Sequence, residues 1–570
     1  VNNSATFTTT NDNILETKLK LPQFDTSNKD QRLAYLKAMQ SDYAFSLTYN
    51  GQIATVNELP KREERTLDYN VKLAKNLAGT LTSMPSLAKR YFKFSVLKRP
   101  FKKYSDYLFF KNAPFPNVEM RDNFWDNQYL GYQRLAGMNP VVIEGVNADN
   151  PIPSTFKVTA SDLGMSEDEF SQAYDDDRFY MTNYAMLKDL VDQPGTVEGL
   201  RKYVTPAIAL YWLNDEGQLD IKAIQFDVTE DTSAENPVIT PENPRWRSAR
   251  TVIQAADGTH QELWTHATRI HYVLESIIMV SHRQLAEQHP LFALLEPHLK
   301  FTLSVNVNPL FQPDRDGTIP DFGKMFACNN DALVNFMGRG MNEYSFKEYT
   351  FPNDIKNRHM ENPKLVYPYR DDGKHWWKES QRFAFEYLSY YYPNDDAIKN
   401  DFELQAWAEE LGGAKTENKC GLTDFPQQFT NVKQLAEIVG HIIFITTAHH
   451  ASIHYPQYEC AGYPPNLPFS SYLPPMTPPE EYETEEDIMK FFPRYSMAFE
   501  QAFIFYLTNF KVNKVGQYEL DKFDTAAQNA IKTHQNKIVE IGREINKANG
   551  KRKYPYPYMH PNNVPNSVTV

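Results

Sequence analysis

Three cysteines in 570 residues, Cys328, Cys420 and Cys460, are too few and too widely spaced for a disulfide framework or a thiolate metal site. Long apolar runs are also missing. The strongest, Ile438 to Ala448, contains Gly440 and His441 and is too short to cross a bilayer, and mean hydropathy is negative. Together these exclude an integral membrane helix. Nor is there a basic excess: 72 acidic against 59 basic side chains give a formal charge of −13. That removes the footprint nucleic acid requires and gives no general attraction to anionic lipid. No obligate protein partner is evident. The opening stretch VNNSATFTTTNDN has neither the basic region nor the apolar core of a secretory signal, so a cytoplasmic location is expected. Peripheral membrane contact through N-terminal aromatics remains open.

Aromatic residues are plentiful, with 34 Tyr, 36 Phe and 7 Trp, enough for a large buried core. Length alone suggests two or three domains, unless long helices share one core. Residues 1 to about 25 are polar and read as extended or mobile. Helical spacing of apolar residues follows from Asn28 to Ser41 and from Lys61 to Tyr91. Residues 1–90 therefore read as a helical extension ahead of a body spanning 91–570.

Between 95 and 160, Pro, Asn and Gly interrupt short apolar runs, as loops and short helices would. A hairpin is expected where Ala207 to Leu213 meets Leu219 to Val228 across Asn214–Gly217. Three long helices are expected: from Asp257 or Thr259 to His289, from Thr430 to Tyr455, and from Asp524 to Ala548. The tail after Gly550 carries four prolines and cannot be one helix, yet it is apolar enough to be buried.

Six of the 14 histidines fall between 260 and 298: His260, His266, His271, His282, His289 and His298. His266 and His271, in WTHATRIHYVLES, are five apart. On an ideal helix they lie about 140° apart, so one small ion can reach both only if the turn widens into a π-type bulge. Ordinary buried or surface histidines explain the spacing equally well. His450 and His454, in TTAHHASIHYPQ, are four apart and share a face without distortion. His441 and His449 are close by, so spacing leaves the choice of ligands open. Two buried helices with a histidine pair each suggest a four-imidazole site suited to Fe, Zn, Ni or Cu. The zinc motif HExxH is absent.

Several motifs resemble the lipoxygenase family. WRSARTVIQAADGTHQELWTHATRIHYVLESIIMVSHRQLAEQHPLFALLEPH is similar to its central helix, and IIFITTAHHASIHYPQ to its second iron-binding helix. The resemblance implies a mainly α fold, a large helical catalytic domain with buried long central helices and a few short β-strands. It implies one iron per chain, held by His266, His271, His450, His454 and the carboxylate of Val570, which ends the sequence VPNSVTV. His282, His289 and His298 are then structural. Glu262 and Gln457 take positions of a hydrogen-bonding network around the ligands, with Glu262 standing where the family usually has glutamine.

The activity implied is dioxygenation of a linoleate- or arachidonate-type polyunsaturated fatty acid. In the family, a ferric ion carrying hydroxide takes hydrogen from a doubly allylic CH2, and O2 adds to the opposite face of the resulting radical. The substrate cavity should be a long apolar tube, with Ala267 and Val305 on its wall and Pro309 where a small residue correlates with product chirality. Manganese in place of iron, and a hydroperoxide isomerase on the same fold, are the nearest alternatives. A zinc hydrolase is a remoter one, since it leaves the tail unexplained.

Overall fold

A computed structural model describes residues 18–81, 83–110, 123–191, 193–197, 199–228, 236–307, 323–481 and 484–570. A buried helix spanning 246–284 forms its axis. It consists of an α-helical segment Trp246–His260, a π-helical segment Gln261–Tyr272 and a second α-helical segment Val273–Gln284. It starts well before the expected Asp257. Trp246, Ala249, Val252, Ile253 and Ala256 already recur at helical spacing and are buried. It also ends before His289. Leu285 turns extended at φ −114° and ψ 122°, and the Ala286 N–H donates to the Glu403 carboxylate at 3.0 Å. His289 instead caps the next helix, Pro290–Leu299, accepting from Leu291 N–H.

The second helix begins at Val432, capped by Asn431 rather than Thr430, and passes through a π-helical turn, Ile445–His449, into His450–His454. Pro368–Tyr391 packs along it, with Thr525–Asn549 on its other side. Asn330–Glu343 lies against the π segment. There Gly340 permits the close approach, since a Cβ would stand 3.0 Å from Trp264 and 3.1 Å from Thr268.

The expected hairpin is present as Ile208–Leu213 paired with Leu219–Gln225. It belongs to a four-stranded antiparallel sheet with Phe179–Asn183 and Glu144–Gly145. The Asn214 side chain accepts from the amides of Glu216 and Gln218, and Gly217 supplies the positive φ that closes the turn. Alternation places Tyr180, Ala209 and Tyr211 in the main core and Phe179, Met181, Ile208 and Leu210 under the helix Glu167–Asp175.

Near the N-terminus, Lys29–Asp42 is followed by a two-stranded hairpin, Phe45–Thr48 with Ile53–Val56, which periodicity did not reveal. Arg32 ties this region to the body through Glu403 at 2.8 Å and pairs within it with Asp25 at 3.0 Å. Leu19, Met39, Ile53 and Val568 share one hydrophobic core. No helix is long and apolar enough to cross a membrane among the described residues.

Candidate metal centre

The π segment brings His266 and His271 together. Its wider turn closes i→i+5 bonds, and the Thr268 hydroxyl reinforces it by donating to the Leu263 carbonyl five residues back, at 2.6 Å. The two rings stand with centroids 4.7 Å apart and Nε2 atoms 3.2 Å apart. From the second helix, His450 places its Nε2 3.3 Å from His266 Nε2. Ring nitrogens of His266, His450 and His454 all lie within 4.8 Å of one another. His441 and His449 face another compartment: His441 packs on Phe346 and Trp377, and His449 bonds the Tyr369 hydroxyl at 3.0 Å.

Hydrogen bonds orient the rings of His266, His271 and His454 and show which of their nitrogens keeps a lone pair. Asn306 Nδ2 donates to the His271 carbonyl at 3.2 Å and to Glu275 at 2.8 Å, so its Oδ1 must accept from His271 Nδ1–H at 2.9 Å. His271 Nε2 is therefore an unprotonated donor atom facing His266. Glu262 accepts from His266 Nδ1–H at 3.1 Å and also from Gln457 Nε2, which leaves His266 Nε2 unprotonated. His454 is reversed. Its Nε2–H donates to the Thr508 carbonyl at 3.1 Å, and its buried Nδ1 has no partner among the described residues.

Burial holds the rings neutral. His266 and His271 are pushed down to about 3, and His450 and His454 lie well below the usual imidazole range, with mutual repulsion adding to desolvation. Two lone pairs facing each other at 3.2 Å repel unless a cation lies between them. The separation matches neighbouring donors on one ion, about 3 Å when each bond is about 2.1 Å. The donor set thus fits a divalent or trivalent transition metal. Burial pushes the Glu262 carboxyl up to about 8, opposed by the neighbouring His271 and by the hydrogen bond from Gln457.

Val570 is buried and lines the same cavity as His266, His271 and His454. The tail has no regular secondary structure there and is held by its backbone. His298 Nδ1–H donates to the Asn566 carbonyl at 2.7 Å, Thr302 to that of Val568 at 3.0 Å, and Tyr69 to that of Thr569 at 2.9 Å. Asn513 and Ser567 add a side-chain bond at 2.7 Å. These bonds satisfy polar groups that burial would otherwise penalise.

The cavity has a volume of about 70 Å³. Ala267 and Val305, expected on the wall, are there, as are Glu262 and Gln457. Pro309 lies outside the described residues. Sequence reasoning missed Leu263, Tyr272, Phe326, Met337, Ile504 and Phe505, all of which line the cavity. Their spacing reads as ordinary core. It also missed Asn306 and the Thr508 carbonyl, for which the sequence carries no local signal.

The family model described as Lipoxygenase matches residues 68–557. Among curated relatives, the chain is 27% identical to hydroperoxide isomerase ALOXE3 of Mus musculus, over 81% of this chain and 65% of that protein. It is 27% identical to linoleate 9/13-lipoxygenase of Pseudomonas aeruginosa, over 79% of this chain and 68% of that protein. The chain spans only 46% to 65% of the length of the first relatives it matches. The solved structure of coral 8R-lipoxygenase superposes with a TM-score of 0.84 at 25% identity, covering 97% of this chain and 83% of that one.

Proposed function

This chain belongs to the lipoxygenase family, and from that premise we propose that it is a non-haem iron dioxygenase acting on a linoleate- or arachidonate-type polyunsaturated fatty acid. The observation that carries the proposal is the convergence of neutral, buried imidazoles with their lone pairs turned toward one point. His266, His271, His450 and His454 would hold the ion, with the carboxylate that Val570 carries as the last residue of this sequence. Bound iron supplies the one-electron oxidation that takes hydrogen from a doubly allylic CH2.

The chain's own groups do the rest. Asn306 and Glu262 hold two rings by their Nδ1–H, and the Thr508 carbonyl holds a third by its Nε2–H, so each ring is fixed in tautomer and direction. The backbone clamp on 566–569 carries Val570 into the site, where a lone carboxylate would be costly without a cation. Leu263, Ala267, Val305, Phe326, Met337 and Ile504 offer an apolar wall that suits an acyl chain and keeps water from a radical. We also propose that 91–570 is the catalytic domain and 1–90 an extension that shares its core.

The test is oxygen uptake by iron-loaded protein given linoleate or arachidonate, followed by analysis of the product. Uptake matched by one dominant conjugated-diene hydroperoxide is expected. Relatives named hydroperoxide isomerase favour one second reading. It predicts negligible oxygen uptake and rapid consumption of a supplied fatty-acid hydroperoxide.

A further inference from the structure

Eight of the thirteen exposed large apolar side chains among the described residues lie between Leu67 and Leu97. They include Leu67, Val71, Met84, Tyr91, Phe92, Val96 and Leu97. Most sit on the helices Leu67–Leu81 and Met84–Arg90 and on the π-helical turn Tyr91–Val96. The inward face of this segment is already used: Leu87 and Phe94 are buried, and Phe94 packs on Phe101 with ring centroids 4.5 Å apart. The exposed set is thus an apolar concentration on the outward side of this segment, where the other described residues show five more such side chains, scattered from Leu33 to Val539. Concentrations of this kind mark interaction sites.

Charge identifies the partner. From Tyr69 to Ser105 there are nine lysines and arginines and no acidic residue, in a chain of net charge −13. Lys72, Lys93 and Lys102 are engaged by Asp68, Asp106 and Glu486. Lys75, Lys89, Lys98, Arg99 and Lys103 form no ion pair among the described residues, and all five are exposed. Apolar and aromatic side chains interleaved with cations suit an anionic bilayer surface, where rings and alkyl groups enter the interface and cations meet lipid phosphates. The net charge of the whole chain hides this local reversal.

The segment also packs on a helix that lines the cavity. Asn76 donates to the carbonyls of Tyr506 and Leu507 at 3.0 and 2.8 Å, on the helix Tyr495–Leu507 whose Ile504 and Phe505 line the cavity. Tyr69 reaches the carbonyl of Thr569, next to Val570. We propose that residues 67–103 form a docking surface for anionic membranes, holding the cavity beside a bilayer in which apolar substrates partition. The docking itself does not depend on the catalytic reading; only its use for substrate delivery does.

Flotation of the full chain with vesicles of phosphatidylcholine, with and without phosphatidylglycerol, tests this without any activity readout. Binding is expected to the mixed vesicles, weakening with salt. Phe92→Ser with Leu97→Ser should lower it at least tenfold. Lys98→Glu with Arg99→Glu should lower it further, as roughly fivefold is lost for each cation removed. Unchanged circular dichroism and melting temperature establish that these exposed substitutions leave the fold intact. Absence of binding to either vesicle, binding indifferent to phosphatidylglycerol, or full binding by both double variants would overturn the proposal. So would a dimer in solution that the apolar variant dissolves, since the occupant would then be a second copy.

Discussion

Asn306 uses the two ends of its amide for different tasks: Nδ2 anchors it to Glu275 and the His271 carbonyl, and Oδ1 holds His271 Nδ1–H. Asn306→Leu keeps the volume and removes the orientation. Metal affinity and turnover should fall about 10- to 100-fold, the range typical for groups supporting metal-bound histidines. Iron content after dialysis and kcat measure this, and wild-type values for both would count against the assignment. At this scale the sequence was informative about His266, His271, His450 and His454, because their spacings imply shared faces or demand a bulge. It was silent about Asn306 and Thr508, which reach the rings from 35 and 54 residues away and through a backbone carbonyl in one case. Spacing alone did not choose His450 over His449; only the resemblance did. The choice depends on the azimuth left by the π turn Ile445–His449, which no local pattern announces.

Among the elements, the π segment couples packing to the site. Gly340→Val would press a branched side chain against Trp264 and Thr268, where even a Cβ stands at 3.0 and 3.1 Å. Overpacking of this kind costs about 1–3 kcal/mol. Thermal denaturation should show the loss, together with weaker metal retention, because Thr268 supports the widened turn that brings His266 to His271. The tail gives a milder case. Tyr69→Phe removes one donor from the Thr569 carbonyl, costs about 1 kcal/mol, and should speed metal loss to a chelator more than it lowers the melting temperature. Equal effects on both would mean that Tyr69 serves the fold alone. Helices with clear periodicity, such as Thr525–Asn549, were readable to within a residue or two. The early start of the central helix was not, because the proline-rich approach at 236–245 masked its first three turns.

Across the whole molecule, burial of histidine sets the response to acid. His260, His298 and His441 are pushed down to about 3, whereas in an unfolded chain they titrate near 6.5. As pH falls below about 6.5 the unfolded chain takes up protons that the folded chain refuses, so stability declines toward the folded values. Glu262 and Glu275, pushed up to about 8 and about 7 by burial, act in the opposite sense but are two groups against three, before the buried imidazoles of the metal centre are added. The melting temperature should therefore fall between pH 7 and pH 5, and a flat or rising profile there would contradict the burial of these rings. The same low-dielectric interior keeps the imidazoles of His266, His450 and His454 neutral and able to bind a cation.

The metal centre is the claim on which the rest depends, and its most direct test is metal analysis of the purified chain beside a version with one glycine appended after Val570. The account predicts one iron per chain in the first. In the second, iron should be retained at least tenfold less well, because the added residue removes the terminal carboxylate from the cavity. No iron in the first, zinc in its place, or undiminished iron in the extended chain would contradict it.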